Sequence, residues 1–275
     1  MTETLALPPL DGTIELEPEA IESFRSKGHA VVRSLASAEE LSPIRPAIEA
    51  KAREHAWDKR PLAERDTYGK AFLQSFNLWR TDPAIRHFVF APRFAKAAAD
   101  LLGVSGVRLY HDQALFKEPR GGRTPWHQDQ FYWPLDTNKT VTLWMPLVDV
   151  PAKIGSMTFA SGSHELGDLR GEPISDESDR IFARLIAERG LPTETHGAVA
   201  AGDATFHAGW TVHCARANPS DQMRPVMTVI YVADGARVSE TIDPARALDH
   251  KAWLRSKAPG ELVDSDLNPR LWPPS

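Results

Sequence analysis

Apolar positions fall at helical spacing through much of the first hundred residues, whereas after Val107 they come as short runs of β-branched and aromatic residues. In the first part, Ser37-Ala38-Glu39-Glu40 has capping-box spacing ahead of a helical stretch that reaches about His55, with Pro43 and Pro46 limiting where its regular portion begins. Pro92 to Leu102 is apolar at the same spacing and stops at Gly103, a natural residue for a left-handed helix end. The pattern therefore predicts a mainly helical N-terminal part over about 17–103, acting as scaffold. The later runs are Val107 to Lys117, Thr140 to Val148, Ser156 to Ala160, Ala204 to His207, Val212 to Ala215 and Pro225 to Ala233. Turns rich in Gly and Pro separate them, as in an antiparallel sandwich or barrel over about 107–235. Between His164 and His196 a polar, charged insertion interrupts the runs; it contains a predicted helix from about Asp176 to Arg189, closed by Gly190 and Pro192. Its charged run includes Asp168, Arg170, Glu172 and Asp176, and Ile181, Phe182, Leu185 and Ile186 give the helix an apolar side. The insertion, about 165–195, is expected either to close over a site or to pack that side on the barrel's outside or on a second subunit.

Length and composition leave room for this picture without enlarging it. The 275 residues are 42% hydrophobic, enough for a large core, and neither a repeat nor a linker divides them, so one domain over 1–275 is expected. The net charge of -5 comes from interspersed signs, which argues against nucleic acid or an anionic membrane as partner. A single cysteine, Cys214, excludes an internal disulfide and a zinc-ribbon site. Met1 to Gly12 has no basic leader followed by an apolar run, and no apolar stretch approaches the roughly 18 residues that span a bilayer. A cytoplasmic protein, monomer or homodimer, is the expectation.

Candidate chemistry concentrates in Thr124-Pro125-Trp126-His127-Gln128-Asp129-Gln130. On a strand, positions i and i+2 share a face, so the imidazole of His127 and the carboxylate of Asp129 reach one ion. His213, in a later strand-like run, supplies a third ligand if that run returns beside the first. Two histidines and one carboxylate form the facial arrangement that leaves positions open on non-haem iron(II). Taken alone, His-x-Asp is as readily a hydrogen-bonded surface pair. Arg224, 11 residues after His213 at the start of another strand, adds a planar guanidinium suited to a carboxylate, although an ordinary strand-end arginine reads the same way.

At these residues the chain resembles the phytanoyl-CoA dioxygenase family, which includes ectoine hydroxylases. The resemblance runs from about Glu17 to Trp272 and is carried by Lys117-Glu118-Pro119, Trp126-His127-Gln128-Asp129, Gly155-Ser156-Met157 leading to Ser161-Gly162-Ser163-His164, and Gly202-Asp203 through His207 and His213 to Asn218 and Arg224. It implies a mainly β fold with flanking helices, a double-stranded β-helix (jelly roll, cupin-like) with the N-terminal helices packed on one sheet. It also implies Fe(II), 2-oxoglutarate as cosubstrate and O2, with 2-oxoglutarate converted to succinate and CO2 while a metabolite is oxidised, usually by hydroxylation of a C–H bond and otherwise by desaturation, cyclisation or epimerisation. Position by position, His127, Asp129 and His213 match the iron ligands and Arg224 the anchor of the cosubstrate's distal carboxylate. Trp144, 17 residues after His127, matches a tryptophan of the cosubstrate pocket, and Gln113 and Thr124 fall where polar pocket residues occur. Pro146 stands where ectoine hydroxylases carry a polar residue, which makes ectoine a poor substrate. Asp129 stands where related halogenases have Ala or Gly, so no protein position is vacated for chloride.

The remaining polar and aromatic residues have plainer expectations. His207 and His164 are expected to be hydrogen-bonded strand or turn residues, and His111 to face the pocket beside Gln113. Phe131-Tyr132-Trp133 and Trp210 are expected in the core more than against substrate. Two rival activities share the ligand set: a non-redox metal-dependent jelly-roll enzyme, for which a keto-acid pocket built on Arg224 and Trp144 has no use, and a catalytically silent 2-oxoglutarate-binding protein.

Overall fold

A computed structural model describes residues 7–169 and 172–274; Arg170 of the insertion and the first six residues of the N-terminal stretch lie outside it. The chain opens with helix α1 (Pro18–Lys27), strand β1 (His29–Val32), and helices α2 (Ala38–Leu41) and α3 (Arg45–Glu54). Ser37 and Glu40 form the reciprocal capping box, and the predicted long helix is split in two because Pro46 takes a first-turn position of α3. Then come α4 (Thr67–Ala71), β2 (Leu73–Phe76), α5 (Pro83–Val89) and α6 (Pro92–Leu102), the last ended by Gly103 in the left-handed conformation. The β-rich part comprises β3 (Val107–Phe116), β4 (Thr124–His127), β5 (Thr140–Pro146), β6 (Met157–Ala160), the helix α7 (Asp176–Arg189), β7 (Thr193–Glu194), β8 (Ala204–Ala208), β9 (His213–Ala215) and β10 (Val226–Ala233). Helix α8 (Ala247–Trp253) and strand β11 (Arg270–Trp272) close it.

The strands form two facing antiparallel sheets. The major sheet has the order β1-β8-β5-β10-β3-β11, with β2 also paired to β3, and the minor sheet has the order β4-β9-β6-β7. This is the jelly roll, with one correction to the sequence reading: the N-terminal part is not scaffold alone, since β1 and β2 extend the major sheet. Both faces of the major sheet are covered, so every residue of β5 is buried. Val141, Leu143 and Met145 pack against α6 and its neighbours in the main hydrophobic core, while Thr142 and Trp144 face the minor sheet.

One bulge decides what β3 presents. Register against β10 slips between Ile230 and Tyr231, leaving Tyr110 as an extra residue. Before it, Val107 and Leu109 join the helical core; after it, Ala114 and Phe116 do. His111, Gln113 and Leu115 thereby turn to the interior between the sheets. Without the inserted residue, the strict alternation of a strand would send them to the helices.

The apolar side of α7 is satisfied by the barrel itself. Phe182 and Ile186 are buried against Ala160 and Val212 of the minor-sheet region, with Trp126, Leu169 and Leu191 beside them. Arg123, just before β4, pairs with Asp176 at 2.8 Å and with Asp179, and the Asp179 carboxylate also accepts from the Trp126 backbone N–H at 2.9 Å. Of the two expectations for the insertion, packing on the barrel's outside is the one the helix itself meets; among the described residues of the insertion, Pro173 and Ile174, ahead of the helix, reach the interior. No helix among the described residues is long and apolar enough to cross a membrane.

Candidate active site

His127 and His213 are direct cross-strand partners on β4 and β9, which sets their ring centroids 4.1 Å apart. Asp129 departs from the strand reading, because β4 ends at His127 and Asp129 opens a single turn of 3-10 helix. The intervening Gln128 is still extended (φ -117, ψ 127), so the i, i+2 relation survives although the strand does not. One ligand atom from each of the three side chains lies within 4.8 Å of the others. Asp129 Oδ1 is 3.4 Å from His127 Nε2 and 3.7 Å from His213 Nε2.

The hydrogen bonds around this cluster orient it for a cation. Nδ1 of His127 donates to the Pro125 carbonyl at 2.8 Å, and Nδ1 of His213 donates to the Thr211 carbonyl at 2.9 Å. Each ring is held in the tautomer that leaves the Nε2 lone pair facing Asp129. The other carboxylate oxygen, Oδ2, accepts from Thr142 Oγ1 at 2.9 Å and from His207 Nε2 at 3.0 Å, two residues that are themselves cross-strand partners on β5 and β8. Burial holds the His213 imidazolium well below its usual range, and His127 and His207 beside it add to the effect. Although burial opposes it, the neighbouring His213, His127 and His207 keep the Asp129 carboxyl ionised, well below the ordinary carboxylate range. Neutral imidazoles and one carboxylate, aimed at a common point and oriented from behind, fit a divalent metal ion with three protein ligands.

Gln113, Thr124, Trp144 and Arg224 line the same chamber as the three candidate ligands. Arg224 is 3% exposed, has no carboxylate partner among the described residues, and leaves Nε without a hydrogen bond. Burial brings its pKa down to about 9. Its guanidinium lies 5.3 Å from the Trp144 ring centre and donates from Nη1 to the Gly155 carbonyl. Gly155, at φ +58, is required there: a Cβ would meet Arg224 Nη1 at 2.7 Å and Lys117 Cδ at 3.0 Å. A buried guanidinium with an unused donor beside a metal-sized cluster fits an anionic ligand. Lys117 is spent differently, donating to Gly122 O (2.7 Å), Thr124 Oγ1 (3.1 Å) and Ala71 O (3.3 Å), and Arg216 is exposed.

Other predicted residues are distributed between chamber and frame. His111, Tyr132 and Trp133 line the chamber, whereas Phe131 and Trp210 do not. His164 accepts no role at the cluster; its Nε2 donates to the Arg25 carbonyl at 3.1 Å. Sequence reasoning missed a wall built from beyond the predicted strands: Trp57, Tyr68, Phe72, Gln74 and Phe76 from the N-terminal part, the last two on β2, and Leu248, Asp249 and Trp253 from α8. The aromatic density of 57–76 is a signal that could have found the first group; α8 offers none. The chamber measures about 500 Å3, a size that holds a drug-sized ligand beyond a five-carbon diacid.

Known proteins agree with this architecture. The family model of phytanoyl-CoA dioxygenase matches residues 24–226. An ectoine dioxygenase of Bordetella bronchiseptica is 24% identical over 234 residues, 78% of this chain and 75% of its own. The non-haem alpha-ketoglutarate-dependent carbocyclase SnoK from nogalamycin biosynthesis superposes with a TM-score of 0.76 at 26% identity, covering 94% of this chain and 99% of its own. The epimerase SnoN, solved with Fe3+, alpha-ketoglutarate and nogalamycin RO, gives 0.74 at 26% identity over 92% of this chain and 97% of its own.

Proposed function

This chain belongs to the phytanoyl-CoA dioxygenase family of Fe(II)- and 2-oxoglutarate-dependent oxidoreductases, and from that premise we propose that His127, Asp129 and His213 hold the iron and Arg224 anchors the cosubstrate. The observation that carries the assignment is the convergence of three oriented ligand atoms within 4.8 Å, in one chamber with a buried arginine that no carboxylate of the described residues neutralises. The overall reaction consumes 2-oxoglutarate and O2, inserts one oxygen atom into a C–H bond of a small molecule, and releases succinate and CO2.

When bound, the metal supplies the oxygen activation that no side chain provides. The chain's own residues do the rest. Thr142 and His207 fix one oxygen of Asp129, which leaves the other for the ion. Arg224 offers planar, charge-assisted donors to the distal carboxylate of 2-oxoglutarate, with Trp144 covering the guanidinium face. Gln113 and Thr124 border that position as polar neighbours. The aromatic outer wall excludes water and places the target carbon, which decides the outcome as much as the metal does. Hydroxylation is the outcome we assign.

Loading the purified protein with Fe(II) and 2-oxoglutarate without oxygen, then admitting air, tests the assignment. Succinate release that disappears in His213→Ala, together with a weakened response to 2-oxoglutarate in Arg224→Lys, is the expected result. Binding of 2-oxoglutarate with no succinate formed would mean a silent binding protein. A hydrolytic activity with no demand for 2-oxoglutarate would remove Arg224 from its role.

A further inference from the structure

The chamber continues past the cosubstrate residues into a compartment whose wall is a ladder of rings. Trp57 contacts Phe76 edge-on at 6.3 Å between centroids, Phe76 lies 5.2 Å from Trp253, Trp253 5.1 Å from His111, and Tyr110 joins His111 to Trp133 at 5.1 and 5.3 Å. Trp57 is 73% exposed and Leu248 63%, so both stand at the mouth. A wall of this kind covers a flat, apolar molecule.

A carboxyl group set into that compartment has no ion pair among the described residues. Asp249 lies on α8 one turn before Trp253, and both line the chamber. Its carboxylate accepts from the Tyr110 hydroxyl at 3.4 Å, a long contact, and no lysine or arginine of the described residues lies within ion-pairing distance. Burial raises its pKa to about 7, against the hydrogen bonds from Tyr110 and Trp253. The surrounding charges do not compensate for it. At the rim, Asp58 is neutralised by Arg60 at 2.7 Å, and Asp66 caps the Gly69 N–H. His111 is kept neutral by burial, its pKa brought down to about 3. The outer compartment thus presents more carboxyl groups than cations, against rings whose faces attract positive charge.

We propose that Asp249 is the recognition group for a protonated amine carried by a flat, apolar ring system, which the rings of Trp57, Phe76 and Trp253 cover. This rests on the reading of the inner chamber as the iron and 2-oxoglutarate site, because it makes the outer compartment the place of the primary substrate. The family match ends at residue 226, so α8 lies beyond the matched segment. Arg246 fixes the start of α8 by donating to the Phe131 carbonyl at 3.1 Å and pairing with Asp168 at 2.9 Å. Asp249 is therefore a substrate-binding residue held apart from the metal frame.

The test uses the full chain loaded with Fe(II) and 2-oxoglutarate without oxygen, and three anthracene probes that differ only in charge: 9-(aminomethyl)anthracene as the ammonium ion, 9-anthracenemethanol and 9-anthracenecarboxylate. Energy transfer from tryptophan to the probe reports binding without turnover. The ammonium should bind about tenfold or more tightly than the alcohol, the scale of one charge-assisted hydrogen bond, with the carboxylate weakest. Asp249→Asn should remove that preference while leaving the alcohol's affinity and the visible band of 2-oxoglutarate on iron unchanged. Equal affinities for ammonium and alcohol in the unmodified protein would overturn the proposal, and so would a preference that survives Asp249→Asn. An ammonium preference in a protein that shows no 2-oxoglutarate band would sustain the amine site and overturn the metal and cosubstrate assignment instead.

Discussion

His207 donates from Nε2 to Oδ2 of Asp129 across 3.0 Å, on the side of the carboxylate turned away from the two other imidazoles. That bond makes His207 a positioning residue for the candidate iron ligand. With Thr142 on the same oxygen, it stops the carboxylate from rotating and offering both oxygens or neither.

The expected consequence is graded by distance from the ion. Replacing His127, Asp129 or His213 with Ala should abolish succinate formation. His207→Ala should weaken iron binding by about ten- to a hundredfold with turnover reduced in proportion. Iron titration followed by circular dichroism would check both, since the fold should survive in each variant. A His207→Ala protein with unchanged iron affinity would show that Thr142 alone sets the carboxylate.

Arg224 should act on cosubstrate and not on metal. Arg224→Lys keeps a charge but loses the planar fork, so the apparent affinity for 2-oxoglutarate should fall by about 1–3 kcal/mol while iron affinity is nearly unchanged. Gly155→Ala should give the same phenotype from the opposite side, because its Cβ would collide with Nη1 of Arg224. Measured Michaelis constants for 2-oxoglutarate that stay put in both variants would point to another anchor.

Helix α7 should behave as part of the barrel. Phe182→Ala removes a side chain that is 1% exposed, and the loss is expected at about 3–5 kcal/mol. Amide exchange along 176–189 should be slow and insensitive to iron, 2-oxoglutarate or a bound anthracene probe. Protection that appears only when the outer compartment fills would mark the insertion as a moving cover.

Stability should fall on the acid side through a pair on the other flank of the major sheet. His29 Nδ1 and His196 Nε2 are 3.1 Å apart, and His29 Nε2 meets Ser161 Oγ at 2.9 Å. Burial, with the facing His196, lowers the His29 pKa to about 3; burial, with Arg33, lowers that of His196 to about 4, while Glu194 opposes both shifts. In the unfolded chain both rings take up protons near pH 6.5. Their stabilising contribution is therefore complete above that pH and drains away as the pH falls toward 4. Thermal melts between pH 7.5 and about 4 should show the decline, and His196→Gln should flatten it.

Much of the frame was legible because its signals are local. The capping box at Ser37, the glycine stops at Gly103 and Gly190, and the α7 bounds all follow from neighbours in sequence. The misses share a different cause. β1 and β2 are four residues each, too short for alternation to declare them, and exist only because β8 and β3 lie alongside. The Tyr110 bulge carries no glycine to mark it, yet it turns His111 and Gln113 inward. α8 is seven residues long with a carboxylate on its inner side, which defeats an amphipathic pattern. Asp129 comes beside the two histidines by another route than the strand reading, since an extended Gln128 stands in for the strand.

The carbonyls of Pro125 and Thr211 grip the rings of His127 and His213, the two candidate ligands. Those backbone contacts orient the two rings from behind, so an ion bound there would not have to organise them, unlike in the small domains that collapse only around their zinc. A rigid socket of two nitrogens and one oxygen does not choose its occupant by affinity for iron, because cobalt, nickel and copper bind such donors more tightly. The ion such a site would hold is then set by supply as much as by its donors, and the same fold carrying a different metal would lack the oxidative chemistry of iron.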